Sequence, residues 1–355
     1  MKSSINNISI YRFFTNLFFV LIISFSNLFF SQNFSQVPNK TIPVKSTLLP
    51  EIAYLSEDIV YKTNRKGSTV KLDVFTPKNV SSGQLLPVLI YVHGGGWIEG
   101  DKVIHSDNYV ETTIAKLMAK QYAVISINYT LLNDNTHFPL PLEDTKDAVR
   151  WVRKNAAQYH FDTNNIGLFG ASAGAHLSLL AAYTPDNTYL GNPELTSYSA
   201  KVNYVIDHYG PADLNKLFHT KLGTIPVAMI GLMSKKIVSL QQNLVKGLSG
   251  YNLKNDQERA IDYLKTISPV NFVSGAVPTL IVQGNNDKIV PLNQSKKLHR
   301  KLNRAKIQNS LIIVDGGVHG FGTTDKTYLD QLTDQMVDFI LAQKKQYTHY
   351  HLNTN

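Results

Sequence analysis

The chain has 355 residues, of which 43% are hydrophobic and 17% are charged, as expected for a protein with a folded core. Its formal net charge is +9, but lysine and arginine form no dense run, so a generally basic surface explains the charge and nucleic-acid binding is not indicated. The absence of cysteine excludes disulfides, thiolate catalysis and Cys-ligated metal. Once an N-terminal segment is set aside, the length fits one large α/β domain or two small ones.

That N-terminal segment predicts export. Basic residues precede the apolar run 17–23, and small residues suited to cleavage follow, up to Ser31. This order is typical of a secretory signal, so we expect a signal peptide over 1–31 and a secreted or periplasmic protein. The alternative is an uncleaved anchor, because the apolar stretch 13–30 is just long enough to cross a bilayer. Only in that case is a membrane a partner.

The rest of the chain divides into three parts. Residues 32–50 are polar with scattered prolines and predict a flexible lead-in, 51–345 form the α/β domain, and 346–355 form a polar tail. Helical spacing of apolar residues within the domain predicts helices near 110–118, 149–159, 175–183 and 329–340. Apolar runs of strand length predict eight strands, at 57–62, 69–75, 85–92, 122–127, 166–169, 202–206, 278–283 and 310–314.

The alternation of strands and helices predicts the fold class. Turn-like residues at 63–68 join the first two strands into a hairpin, and the later strands alternate with helices. This pattern predicts an α/β fold with a mostly parallel eight-stranded sheet covered by helices on both faces. The interval from about 214 to 268 is too long for a simple crossover, so we predict a small helical cap inserted over the sheet's carboxyl edge. A helical decoration away from the site is the alternative.

The stretch Gly170-Ala171-Ser172-Ala173-Gly174 lies between the fifth predicted strand and a helical pattern. G-x-S-x-G in that context is typical of a nucleophile elbow, a sharp turn that exposes a serine hydroxyl. Glycines suit such a turn because a Cβ would clash there. Ser172 is therefore a candidate nucleophile, although the motif alone leaves open a small-residue turn without chemistry.

Two further polar residues follow the seventh and eighth predicted strands. Asp287 follows the seventh, and His319 follows the eighth, so both are expected at the edge where an open α/β sheet binds its ligands. The chain order Ser, Asp, His is that of an α/β-hydrolase triad. His319 would take the proton of Ser172, and Asp287 would hold the imidazole. Asp315 and Asp325 are alternative candidates for the role of Asp287, although their positions before and after the loop of His319 fit that role less well.

A glycine-rich stretch, His93-Gly94-Gly95-Gly96-Trp97, follows the third predicted strand. We expect the amides of Gly95 and Gly96 to bind the oxyanion of a tetrahedral intermediate together with the amide of Ala173. A phosphate cradle is the alternative, but no Lys-Ser/Thr pair follows and no G-x-G-x-x-G is present.

Three residues near these motifs have weaker interpretations. His93 is expected to be structural and to tie down the glycine-rich loop. Trp97 either walls the substrate pocket or packs in the core. Tyr209 follows the sixth predicted strand, at the active edge, and is expected to shape the pocket.

Taken together, these residues resemble the α/β-hydrolase esterases of the hormone-sensitive-lipase-like type. Within these, the sequence is most similar to the feruloyl and acetyl-xylan esterase (BD-FAE) group and its formamidase relatives. The resemblance runs from about 58 to 341 and implies an α/β-hydrolase fold and carboxylester hydrolysis without metal or organic cofactor. From 215 to 267 the sequence matches no family pattern. The matching stretches are 91–97 with 100–102, Phe138-Pro139 with Glu143-Asp144, 170–174, 209–214, Ser268-Pro269-Val270, Asp287 with Pro291, and His319-Gly320-Phe321.

The sequence thus predicts a secreted serine esterase acting on acetyl or aryl esters, either small molecules or plant polysaccharide. One alternative is a formamidase or peptidase with the same triad. Formamidases usually act inside cells, contrary to the export signal, and peptidases of this fold usually carry a propeller domain for which these residues leave no room. Another alternative is a non-catalytic binding protein, although such proteins often lose the serine or the histidine. The motifs do not specify acyl and alcohol preference or oligomeric state.

Overall fold

The computed structural model describes residues 44–63, 67–220, 235–322 and 324–344. The predicted signal peptide, most of the predicted lead-in and the predicted tail lie outside these ranges. Within them, none of the helices combines the length and apolar character that crossing a bilayer requires.

Within these ranges, eight strands form a single sheet in the order β1-β2-β4-β3-β5-β6-β7-β8. The hairpin β1–β2 and the pair β2–β4 are antiparallel, and all other neighbours are parallel. The predicted hairpin and the mostly parallel eight-stranded sheet are therefore confirmed. The strands are β1 (Ala53–Thr63), β2 (Thr69–Pro77), β3 (Leu86–Val92), β4 (Ala123–Ile127), β5 (Phe161–Ala171), β6 (Tyr204–His208), β7 (Thr279–Gly284) and β8 (Asn309–Val314).

Helices cover both faces of this sheet. The four predicted helices are present, and the pattern near 149–159 divides into two helices. The α-helices of the described part of the chain are α1 (Leu49–Ile52), α2 (Tyr109–Ala119), α3 (Leu140–Lys154), α4 (Ala156–Tyr159), α5 (Ala173–Tyr183), α6 (Leu214–Leu217), α7 (Lys235–Ser249), α8 (Gln257–Thr266), α9 (Asn293–Arg304) and α10 (Lys326–Ala342).

Strand β3 shows why the core has two layers. Every residue of β3 is buried, because successive side chains point to opposite faces and both faces are covered. Val88 and Ile90 pack in the cluster that includes residues of α3 and α5. Leu89 and Tyr91 pack in the other cluster, with residues of α2 and α10. Continuous apolar runs therefore mark the central strands of this fold.

The segment between β6 and β7 contains α6, α7 and α8, which lie within the predicted insertion from about 214 to 268. Val245 and Leu248 of α7 are buried in the main core cluster. A Cβ placed on Gly96 would lie 3.8 Å from Leu244 Cδ2, so α7 reaches the glycine-rich loop. The role of this segment as a substrate cap stays a prediction.

Candidate active site

Five neighbouring parallel strands, β3, β5, β6, β7 and β8, end at one edge of the sheet. The segments that follow these strands carry all the residues for which the sequence predicts chemistry. The sheet topology therefore gathers groups that are far apart along the chain, as expected for the carboxyl edge of an α/β sheet.

Ser172 lies in the sharp turn between β5 and α5. Its backbone has φ 54° and ψ −118°, a conformation rarely adopted by a residue with a side chain. Two hydrogen bonds hold it there: Ser172 N donates to His208 O at 2.8 Å, and His176 N donates to Ser172 O at 3.1 Å. The turn is thus anchored to β6 and to the first turn of α5, and its side chain is left half-buried rather than enclosed.

The two outer glycines of the motif are required by close backbone contacts. A Cβ on Gly170 would lie 2.3 Å from Gly174 O, and a Cβ on Gly174 would lie 2.1 Å from Val92 O. Both separations are far below van der Waals contact, so no larger residue fits without moving the backbone. The G-x-S-x-G spacing therefore reflects the packing of the turn against α5 and the end of β3.

The three predicted triad residues lie within hydrogen-bond distance of one another. His319 Nε2 is 3.0 Å from Ser172 Oγ, and His319 Nδ1 is 2.7 Å from Asp287 Oδ2. The Asp287 side chain is fully buried, whereas that of His319 is 20% exposed. Because a carboxylate can only accept, Nδ1 carries the hydrogen and Nε2 is left to accept from the serine hydroxyl. This is the geometry of a serine hydrolase.

The two rival aspartates have other partners. Asp315 Oδ1 accepts a hydrogen bond from Asn285 Nδ2 at 2.7 Å. Asp325 caps the N-terminus of α10, where it accepts from Tyr328 N at 3.1 Å. Asp287 is thus the carboxylate that the geometry pairs with His319.

The glycine-rich loop lies directly beside the elbow. A Cβ on Gly94 would lie 3.1 Å from Ala171 O and 3.4 Å from Ser172 Cβ. Across the described residues, no acceptor is paired with the backbone amides of Gly95, Gly96 or Ala173. Unpaired amides beside a nucleophile are available to an anion. Their role as oxyanion donors stays a prediction.

Comparison with known proteins places this geometry in a family. The BD-FAE family model matches residues 72–302. The chain belongs to the BD-FAE family. Esterase LipC of Mycobacterium tuberculosis is 25% identical over 256 residues, which cover 72% of this chain and 57% of LipC. The chain spans about half the length of the curated relatives it matches.

Solved structures confirm the α/β-hydrolase fold of this BD-FAE chain. A truncated form of a carbohydrate esterase from gut microbiota has a TM-score of 0.64 and 25% identity, covering 84% of this chain and 99% of that chain. An acetyl ester-xyloside bifunctional hydrolase from Caldicellulosiruptor lactoaceticus has a TM-score of 0.60 and 20% identity, covering 86% of this chain and 98% of that chain.

In this BD-FAE site, Trp97 is a packing residue rather than an open pocket wall. It is 3% exposed, and its Nε1 donates to His176 Nδ1 at 3.3 Å. His176 Nε2 in turn donates to Ile267 O at 2.8 Å, which fixes the tautomer. Burial lowers the pKa of His176 to about 4, so the ring stays neutral. His176 thus joins the glycine-rich loop, α5 and the end of the insertion.

Tyr209 also lies inside the protein, with 5% of its surface exposed. Its ring packs against the imidazole of His319, and its hydroxyl pairs with that of Tyr109. Burial raises the pKa of Tyr209 to about 12. The predicted pocket residue therefore packs against the side of His319. Its position after a strand in the sequence does not predict this contact.

His93 has the structural surroundings that the sequence predicts. Its ring stacks on Tyr129 with centroids 4.3 Å apart, and Tyr129 Oη donates to His93 O at 3.1 Å. Burial lowers the pKa of His93, which favours the neutral ring. The histidine therefore ties the start of the glycine-rich loop to the segment after β4.

Proposed function

We propose that this chain is a secreted serine carboxylesterase that hydrolyses acetyl or aryl esters through an acyl-enzyme on Ser172. The observation that carries the proposal is the chain of two hydrogen bonds that joins Ser172 Oγ to His319 at 3.0 Å and His319 to Asp287 at 2.7 Å. Membership of the BD-FAE family and the esterases among its relatives support ester hydrolysis as the reaction.

Acylation follows from the positions of these groups. His319 Nε2 accepts the hydroxyl proton while Ser172 Oγ attacks the ester carbonyl carbon. The charged imidazolium is stabilised by the buried carboxylate of Asp287. The carbonyl oxygen becomes an oxyanion facing the amides of Gly95, Gly96 and Ala173, and each such donor contributes about 3 kcal/mol to transition-state stabilisation.

Collapse of the tetrahedral intermediate releases the alcohol. His319 donates its proton to the departing alkoxide oxygen, and the acyl group stays on Ser172 as an ester. Water then enters, loses a proton to His319 and attacks the acyl carbonyl. The second intermediate collapses to the free acid, and Ser172 recovers its proton from His319. The cycle needs no group beyond this chain and water.

A carbohydrate-borne acyl group is the substrate that the comparisons favour. The solved relative with 25% identity is a carbohydrate esterase and aligns over 99% of its length. The N-terminal export pattern supports the same choice, since polysaccharide lies outside the cell. We therefore propose acetyl esters on plant polysaccharide, with aryl esters as the second substrate class.

A substrate panel tests this function. Wild-type protein and Ser172→Ala are compared on acetylated xylan, feruloyl esters, p-nitrophenyl esters of graded acyl length and N-formylkynurenine. We expect the wild type to release acetate from acetylated xylan and to cleave p-nitrophenyl acetate, and Ser172→Ala to do neither. Activity on N-formylkynurenine alone would indicate that the protein is a formamidase rather than an esterase. A wild type inert on the whole panel would indicate a binding protein.

Export is tested separately by N-terminal sequencing of the protein from producing cells. Cleavage of the signal predicts a mature N-terminus close to residue 32 in the soluble exported fraction. Full-length chain recovered in the membrane fraction would indicate an uncleaved anchor instead.

A further inference from the structure

We propose that Gln283, held by Ser295, is a positioning residue for the Asp287–His319 pair. The inference rests on the proposed function and concerns the side of the triad that faces away from substrate. Gln283 Nε2 lies 3.0 Å from Asp287 Oδ2, the same oxygen that accepts from His319 Nδ1. The amide and the imidazole therefore share one carboxylate oxygen.

The other contacts of Gln283 fix the orientation of its amide. Nε2 also donates to Val290 O at 3.0 Å and lies 3.3 Å from Gly284 O. Oε1 accepts from Ser295 Oγ at 2.9 Å. Because all three neighbours of Nε2 are acceptors, a flipped amide would place its oxygen against them and keep only a bond to the Ser295 hydroxyl, which can accept as well as donate.

Burial makes this arrangement consequential. Gln283 and Ser295 are fully buried, so water cannot replace a lost donor. The remaining oxygen of Asp287, Oδ1, is already bound by the amides of Ile289 and Val290 at 2.8 and 2.9 Å. Together with those two amides, Gln283 fixes the rotation of the carboxylate about its Cβ–Cγ bond, and with it the direction in which Oδ2 faces His319.

Two elements bring these residues together. Gln283 is the penultimate residue of β7, and the turn after β7 brings Asp287 back against it. Ser295 lies in the first turn of α9, so α9 closes the network from the outside. The donor from Gln283 also draws charge from Oδ2, which tempers the attraction of Asp287 for the proton on His319.

The inference is tested with Gln283→Met, which keeps the volume but has no donor, and with Ser295→Ala, which removes the group that orients the amide. Thr333→Val in α10 is the matched control, because it removes a buried hydroxyl bound to Asp330 O at 2.7 Å and does not touch the triad. Each variant is measured by kcat and KM for p-nitrophenyl acetate across pH. The proton NMR resonance of His319 Nδ1–H, assigned by its loss in His319→Ala, is recorded without substrate.

We expect Gln283→Met to lower kcat about 10- to 100-fold, with KM within about twofold, because a carboxylate without this donor can rotate and displace His319 by about 1 Å from Ser172. The acid limb of the kcat/KM profile should move to higher pH, because a carboxylate with one donor fewer holds the imidazolium more strongly. Tyr209, which also borders the pair, stays neutral in this range because burial raises its pKa to about 12. Ser295→Ala should act in the same direction to a smaller extent, and Thr333→Val should change neither profile nor resonance.

An unmoved acid limb together with an unchanged Nδ1–H resonance in Gln283→Met would overturn the inference, even if kcat fell, because loss of packing alone would explain the fall. If Gln283→Met does not fold, the same criteria apply to Ser295→Ala. A wild type that cleaves no ester would refute the proposed function. The His319 Nδ1–H resonance, compared between wild type and Gln283→Met, would still test this inference, so the two failures are distinguishable.

Discussion

The imidazole of His319 lies edge-on against the ring of Tyr209, with the ring centroids 4.7 Å apart and an angle of 62° between the planes. Tyr209 is in turn fixed by its hydroxyl contact with Tyr109 and by Phe321, whose ring centroid lies 5.0 Å away. The histidine is therefore confined on one side by Tyr209 and bound at Nδ1 by Asp287. Its Nε2 is left facing Ser172, as proton transfer requires.

This packing predicts that the ring of Tyr209 affects turnover rather than substrate binding. Tyr209→Ala removes the wall beside the imidazole, so kcat for p-nitrophenyl acetate should fall about 10- to 100-fold, the effect typical of a catalytic group displaced by about 1 Å. Tyr209→Phe keeps the ring, so kcat should stay within about threefold. Tyr109→Phe is the matched control, since it removes the same hydroxyl contact from the other side. A rise in KM with wild-type kcat would instead restore the pocket role expected from sequence.

The triad predicts non-additive losses. Ser172→Ala and His319→Ala should each lower kcat by about 10⁶-fold, and the double variant should be little worse, because the two residues act as a unit. Circular dichroism melting should show that each variant stays folded. Losses that multiply in the double variant would mean that Ser172 and His319 act in separate steps.

The carboxylate assignment has its own test. Asp287→Asn should lower kcat by about 10⁴-fold, because the amide can present a donor to His319 and stabilise the wrong tautomer. Asp315→Asn is the matched control, since Asp315 bonds to Asn285 and is exposed. If Asp315→Asn were the damaging change, the third triad member would be misassigned.

A second carboxylate, Asp207 in β6, predicts a pH-dependent cost to stability. It is fully buried, with Oδ1 bound by Gly210 N at 2.8 Å and Oδ2 unpaired within the described residues. Burial raises the pKa of Asp207 to about 7, from an ordinary value of 3.8. Protonated Asp207 contributes its full share to the free energy of unfolding below pH 3.8. That contribution, up to about 4 kcal/mol, is lost as pH rises towards 7.

Asp207→Asn should remove this loss, because the amide is neutral at every pH and no charge has to be buried. Urea unfolding should show the variant more stable than wild type at pH 8 and no more stable at pH 4. An equal difference in unfolding free energy at both pH values would mean that Asp207 does not bind a proton in the fold.

The central strands and the triad were predictable because both depend on local patterns. Buried strands such as β3 are apolar throughout, and Ser172, Asp287 and His319 lie one, three and five residues after the ends of β5, β7 and β8. Helix α9 was not predicted, because Leu298 and Leu302 are its only buried apolar residues and their spacing is too short a signal.

The contacts that surround the triad depend on tertiary packing and could not be predicted. Trp97 and Tyr209 follow strands at the active edge, but only the packed structure shows that one bonds to His176 and the other lies under His319. The sequence predicts Gln283 only as a strand residue, because its contact with Asp287 depends on the turn that brings Asp287 back against β7.

His208, the neighbour of Asp207, predicts the opposite pH dependence. Its ring lies among Tyr109, Phe169 and Phe321, and neither ring nitrogen has a partner within the described residues. Burial lowers the pKa of His208 to about 3, so the unfolded chain takes up a proton that the fold excludes. The contribution of this neutral ring to the free energy of unfolding is therefore full above pH 6.5. At lower pH the contribution decreases by about 1.4 kcal/mol for each pH unit.

His208→Met should abolish that contribution while leaving the backbone acceptor for Ser172 N in place. The free energy of unfolding, measured between pH 4 and 7, should decrease less steeply with falling pH in the variant than in wild type. The difference in slope should correspond to about one proton fewer taken up on unfolding. Some acid sensitivity should remain, because burial also lowers the pKa of His176, to about 4. A variant with the full wild-type slope would show that His208 is protonated in the folded protein, and that its aromatic surroundings admit a charge.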